Sequence, residues 1–227
     1  MTIADRNRIV AVLTGNENDR TISNAFRKAG WIELRLDCFI KNFPEKNFVK
    51  WAKKIRESTD ANIIATVRWH RESQDPSFFI PDDRRIEIYQ SISNYADYFD
   101  VELKSRIVRP VYEIAKKNRK KLILSYHNFK STPNRNKLLK ICDLAKINNA
   151  DIVKIATFVK KEIDLLNLIS VLVSEKKRID IAVIPMGKGT FERLIPLAFG
   201  GIFTYFAAEE TTAPGQPSML ETESWFS

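Results

Sequence analysis

Short runs of β-branched and aromatic residues alternate along the chain with longer segments whose apolar residues recur at helical spacing. The runs are RIVAVLTG from Arg8, WIELRLD from Trp31, NIIATVRW from Asn62, YFDVEL from Tyr98, KLILSYHNF from Lys121, DIVKIAT from Asp151, IDIAVIPMG from Ile179 and GIFTYFAA from Gly201. Between them the pattern predicts helices near 21–29, 45–58, 83–94, 105–118, 134–148, 161–175 and 188–197, and a last short one near 217–224. Strands separated by helices pair in parallel through right-handed crossovers. Eight such units in this length predict a closed (β/α)8 barrel of the TIM type, with an open doubly wound sheet as the rival.

A parallel barrel changes the meaning of WIELRLD. Its alternation puts Glu33, Arg35 and Asp37 on one strand face and Ile32, Leu34 and Leu36 on the other. In a half-exposed antiparallel sheet the charges would face water. In a barrel one face packs on helices and the other points inward, so the charges must point into the barrel. The same inversion recurs at Thr66 and Arg68, at Asp100 and Glu102, at Ser125 and His127, and at Lys154 alone. Burying such groups is costly unless they pair, and cations and anions from different strands meet only on closure. Converging charges at the C-terminal ends of barrel strands are the usual make-up of an active site in this fold.

Composition narrows the picture. With 227 residues, 44% of them hydrophobic, seven Gly, nine Pro and no low-complexity linker, the chain is expected to be a single domain over 1–227. No stretch has a secretory or membrane-spanning pattern, which predicts a soluble, cytoplasmic protein with no membrane partner. Cys38 and Cys142 lie far apart and read as free thiols. The net charge of +9 admits a nucleic-acid binder, but Lys and Arg are spread over most helices, so no nucleic-acid partner is expected.

Lys154 sits among Ile152, Val153, Ile155 and Ala156. Desolvation and nearby arginines would favour its neutral, nucleophilic amine; an ordinary strand-end lysine reaching solvent or pairing with Glu102 is the alternative. His127, one of two histidines, lies on the preceding strand. An amine and an imidazole facing one carbonyl compound suggest Schiff-base formation with proton transfer at the adjacent carbon.

ELRLD, TVRWHRE, SYHNFKSTP, DIVKIAT, MGKGTFERL and TTAPGQPS, in this order from residue 8 to 219, together resemble type I 3-dehydroquinate dehydratase. The resemblance implies a homodimeric barrel enzyme of the shikimate pathway, free of metal and cofactor, that dehydrates 3-dehydroquinate to 3-dehydroshikimate. It implies that Lys154 forms the imine, that His127 moves the protons and that Glu72 orients His127. Arg193 would grip the substrate carboxylate, and Glu33, Arg35 and Arg68 would hold ring hydroxyls. Asp37, Asp100 and Glu102 would support them, and Thr212 and Gln216 would act from a solvent-facing lid. Residue by residue, the alternatives are a loop charge for Glu72, a helix-face arginine for Arg193 and a structural ion-pair network for Arg35. Three positions depart from the family pattern: Ser73 and Gln74 replace a common glycine pair, and Val12 stands where a serine is common, so that either one substrate hydroxyl loses a contact or Thr14 provides it. A class I aldolase-type lyase, which also uses a barrel lysine, is the alternative function, but no Gly-rich phosphate cradle follows the last strands.

Overall fold

In the computed structural model, residues 5–209 and 211–219 are described. Eight strands, β1 (Ile9–Leu13), β2 (Trp31–Arg35), β3 (Asn62–Thr66), β4 (Tyr98–Glu102), β5 (Lys121–Asn128), β6 (Ile152–Phe158), β7 (Asp180–Met186) and β8 (Thr204–Ala207), form one parallel sheet. The helices are α1 (Asp19–Lys28), α2 (Leu36–Asn42), α3 (Phe48–Ser58), α4 (Asp82–Ile92), α5 (Val108–Lys117), α6 (Arg135–Ile147), α7 (Glu162–Glu175) and α8 (Thr190–Ala198). The sheet order runs β7-β6-β5-β4-β3-β2-β1-β8, and Ile202 N donates to Ile181 O at 3.1 Å beside the remaining seam. The result is a nearly closed (β/α)8 barrel, not an open doubly wound sheet.

Local chemistry explains many of the boundaries. Asn18, Asn47 and Asn134 cap α1, α3 and α6 by accepting hydrogen bonds from first-turn backbone N–H groups. One element differs from the predicted pattern: β2 stops at Arg35, and Leu36–Asn42 are helical. Leu36, Phe39 and Ile40 stand at helical spacing, so Asp37 enters from the first turn of α2, not from the strand face shared by Glu33 and Arg35. At the other end, 217–219 are not helical, Ser218 forms a bridge to Ala207, and 220–224 lie outside the described residues.

The apolar residues divide into two layers. One lies between the strands and the helices, with Ile32, Leu34, Ile63 and Phe99 among its members. The other fills the barrel interior with Val10, Val12, Ile64, Ile123, Ile152 and Phe203. Strand register then sets the polar level above that floor. Arg35 stands beside Thr66 and Thr66 beside Asp100, while Glu102 stands beside Ser125 and Ser125 beside Lys154.

Candidate active site

Lys154 projects from β6 into the barrel with its side chain 5% exposed. Its Nζ donates to Asp100 Oδ2 at 2.8 Å and to Glu33 Oε1 at 3.3 Å, and lies 4.1 Å from the centroid of the Tyr205 ring. Carboxylates, not arginines, are thus the charges that touch this amine, and Glu102 is not its partner. Thr66 and Ser125 complete the cradle by donating to Glu33 and Asp100 at 2.9 and 2.6 Å. Burial opposes ionisation of Asp100, but Lys154 and Arg68 outweigh it and hold that carboxyl well below its ordinary range.

A second line of charges runs outward from there. Arg68 donates to Glu102 Oε1 at 2.7 Å and reaches both oxygens of Asp100 at 3.5 Å. The other oxygen of Glu102 takes a 2.5 Å bond from Arg85, a fully buried residue of α4 that also donates twice to the Val67 carbonyl. Arg35 makes a two-bond contact with Asp37, at 3.0 and 2.7 Å. Arg35, Arg68, Arg85 and Lys154 therefore balance Glu33, Asp37, Asp100 and Glu102 in charge. Such a set persists out of water because every member is paired and hydrogen-bonded.

His127 and Glu72 form a pair at the rim of this network. Glu72 is buried, so it is not a loop charge in water. Its Oε2 accepts the His127 backbone N–H at 2.6 Å and lies 3.3 Å from Nδ1, while Arg68 Nη1 lies 3.4 Å from the same nitrogen. Burial, reinforced by the cations Arg68 and Lys154, pushes the imidazole well below its ordinary value and keeps it neutral. Burial also raises the Glu72 carboxyl to about 7 despite the bond from His127 N–H.

On the opposite wall, Arg193 is fully buried on α8, which removes the reading of an ordinary helix-face residue. Its Nη2 donates to the Pro214 carbonyl at 2.5 Å, while Nε and Nη1 are buried without partners among the described residues. Burial alone brings its pKa down to about 10. Gln216 is buried as well, contrary to the expected solvent-facing lid. Its Oε1 accepts from Thr212 N and Oγ1 at 2.7 and 3.0 Å, and the half-buried Thr212 closes the turn.

These residues line one cavity of about 410 Å³, a size suited to a small organic substrate. Glu33, Arg35, Arg68, Glu72, His127, Lys154, Arg193, Thr212 and Gln216 all face it. Ser73, Gln74 and Thr14 face it too. The Thr14 hydroxyl donates to Glu17 at 3.0 Å, which leaves its lone pairs to accept from a ligand, while Val12 is buried in the barrel floor. Sequence reasoning missed Tyr205 and Arg85. Tyr205 follows Phe203 on the inward face of GIFTYFAA, a usable signal, whereas nothing local marks Arg85.

A TIM barrel whose titratable side chains converge on one cavity at the C-terminal ends of its strands defines an enzyme. The chain belongs to the type I 3-dehydroquinase family, whose model matches residues 9–226, and it is a hydro-lyase. A 3-dehydroquinate dehydratase of Thermodesulfovibrio yellowstonii is 34% identical over 190 residues, which cover 83% of this chain and 80% of the relative. The 3-dehydroquinate dehydratase of Geobacillus kaustophilus superimposes with a TM-score of 0.85 at 24% identity, over 96% of this chain and 89% of that one. Type I 3-dehydroquinate dehydratase from Clostridium difficile, determined with covalent modified comenic acid, gives 0.82 at 27% identity over 96% and 90%. Among the described residues no helix is long and apolar enough to cross a membrane.

Proposed function

We propose that this chain dehydrates 3-dehydroquinate to 3-dehydroshikimate through an imine on Lys154. The observation that carries the reading is a buried lysine and a neutral histidine on one cavity, opposite an arginine with two unpartnered N–H groups. Arg193 offers the N–H groups of Nη1, unpartnered among the described residues, to the substrate carboxylate in a charge-assisted hydrogen bond. The ketone carbon meets Lys154, whose positive charge, as ammonium before and iminium after, is balanced by Asp100 and Glu33. Covalent chemistry on a relative, the Clostridium difficile enzyme, supports a covalent step here.

The iminium withdraws electrons from the neighbouring carbon, so a base of modest strength removes its proton. His127 is that base. An ionised Glu72 accepts from Nδ1–H and leaves Nε2 free to take the proton; a neutral Glu72 cedes Nδ1 to donation from Arg68. The enamine then expels the hydroxyl, which leaves as water with the proton His127 had taken, and hydrolysis frees Lys154. Arg35 uses Nε and Nη2 on Asp37, so donation to a substrate hydroxyl falls to Nη1, with Glu33 and Arg68 as further partners. Thr212 and Gln216 line the carboxylate end beside Arg193.

The 227 residues act as one catalytic domain in the cytoplasm, and the active form is a homodimer. Exposed Ile163, Leu166 and Val173 along α7 offer an apolar ridge for the second copy. Mixing the protein with 3-dehydroquinate tests the activity: ultraviolet absorbance of the conjugated enone should grow with time, and none should appear if the assignment is wrong.

A further inference from the structure

Tyr205 pairs in register with Val10 and turns its side chain into the barrel, against the ammonium of Lys154. A cation over an aromatic face is attracted by the ring, so the phenyl face seats Nζ. The hydroxyl at its far edge is buried and has no hydrogen-bond partner among the described residues. Leaving such a group unpaired is costly, and the cost persists only if something else compensates it. Burial first, then Glu33 and Asp100, holds the phenol well above its ordinary pKa, so it keeps its proton and remains a donor. Both oxygens of Asp100 are already bonded, to Ser125, Arg68 and Lys154, and Glu33 takes Thr66 and Lys154 on Oε1, yet the phenol bonds to neither carboxylate. With Nζ 4.1 Å from the ring centroid and both residues lining the cavity, the carbon that Nζ attacks and this hydroxyl share one end of the site.

We propose that Tyr205 is a catalytic residue of the imine-forming step, its hydroxyl donating a hydrogen bond to the ketone oxygen that leaves as water. The inference rests on the imine reading above. In the step, the Lys154 ammonium first gives one proton to the adjoining Asp100 carboxylate. The freed Nζ lone pair forms the C–N bond as the carbonyl electrons move to oxygen, and that proton and a second from nitrogen pass to the oxygen. The C–O bond then breaks, and ammonium plus ketone become protonated imine plus water, with charge unchanged. Tyr205 lends a fixed donor to the developing charge on oxygen and ends the step with its own proton. No reagent beyond substrate is needed.

The test compares wild type with Tyr205→Phe, which keeps the ring over Nζ and removes only the hydroxyl. Under rapid mixing with 3-dehydroquinate and borohydride quench, adduct on Lys154 should accumulate about 10²-fold more slowly in the variant, the size expected for loss of one such donor. Its thermal midpoint should stay level or rise, because an unpaired buried hydroxyl has gone. Once the imine has formed, exchange of the proton on the adjacent carbon should run at the wild-type rate. Adduct formation at the wild-type rate would overturn the role of Tyr205 and leave the imine standing, as would a defect confined to proton exchange. Absence of adduct in active wild-type enzyme would instead remove the imine reading itself.

Discussion

His127 and Glu72 are best understood as one unit, because the charge on the carboxylate decides which imidazole nitrogen carries the proton. His127→Ala should lose ~10²–10⁴-fold in turnover, the usual share of a general acid-base group, while borohydride still traps substrate on Lys154; steady-state rates and peptide mapping read both. The pH dependence follows from Glu72. Its pKa is raised in the folded state to about 7, so the folded protein keeps a proton that the unfolded chain releases near pH ~4.5. That stabilising contribution is complete below the unfolded value and is lost as pH rises through about 7. Under the proposed function activity runs the other way: an ionised carboxylate is the form that would orient His127, so kcat/KM should rise through about pH 7. Glu72→Gln should flatten that limb and stabilise the fold above pH 7 by at most roughly 3 kcal/mol, measured by denaturant titration across pH. Lys154, His127 and the inward carboxylates are legible in the sequence because a charge on the inner face of a buried strand contradicts its surroundings. Arg85 is not, because only the docking of α4 on the strand ends buries it, and no pattern within DDRRIEIY distinguishes it from Arg84, which pairs with Glu87 in water.

Among the elements, α2 shows where a period-two pattern misleads. The alternation in WIELRLD continues past Arg35, yet the chain turns there into a helix that buries Leu36 and Phe39 and brings Asp37 back onto the Arg35 guanidinium. The two-bond contact stabilises that turn as much as it orients the arginine. The segment after β8 offers a similar lesson. TTAPGQPS is polar enough to suggest a free lid, but its backbone is tied to the barrel. Gly187 N donates to Pro214 O at 3.1 Å and Ala207 N to Pro217 O at 2.9 Å. Gly215 takes a positive φ of 65°, and a side chain there would meet the Lys188 carbonyl, so the turn requires glycine. Gln216→Ala should therefore lower stability by about 1–2 kcal/mol, since both Thr212 donors lose their acceptor, and should weaken substrate binding as well. Chemical denaturation and KM together measure this, and unchanged stability would return the segment to the status of a loose lid.

For the molecule as a whole, the order of eight strand-helix units was readable because each strand is an apolar run between amphipathic segments. The seam between β7 and β8 was not readable, because how nearly the ring closes depends on strand tilt and stagger rather than on any local pattern. The same closure assembles the charges: Glu33, Asp100 and Lys154 come from three strands and Arg68 from just past the end of a fourth, and they meet only when the sheet curls. The central claim is that this assembly makes Lys154 the covalent catalyst. Borohydride added during turnover of 3-dehydroquinate, followed by peptide mapping, tests it most directly. The account predicts one reduced adduct on Lys154, and loss of both adduct and dehydration in Lys154→Ala. An adduct on a different lysine, or full activity with no adduct at all, would contradict it.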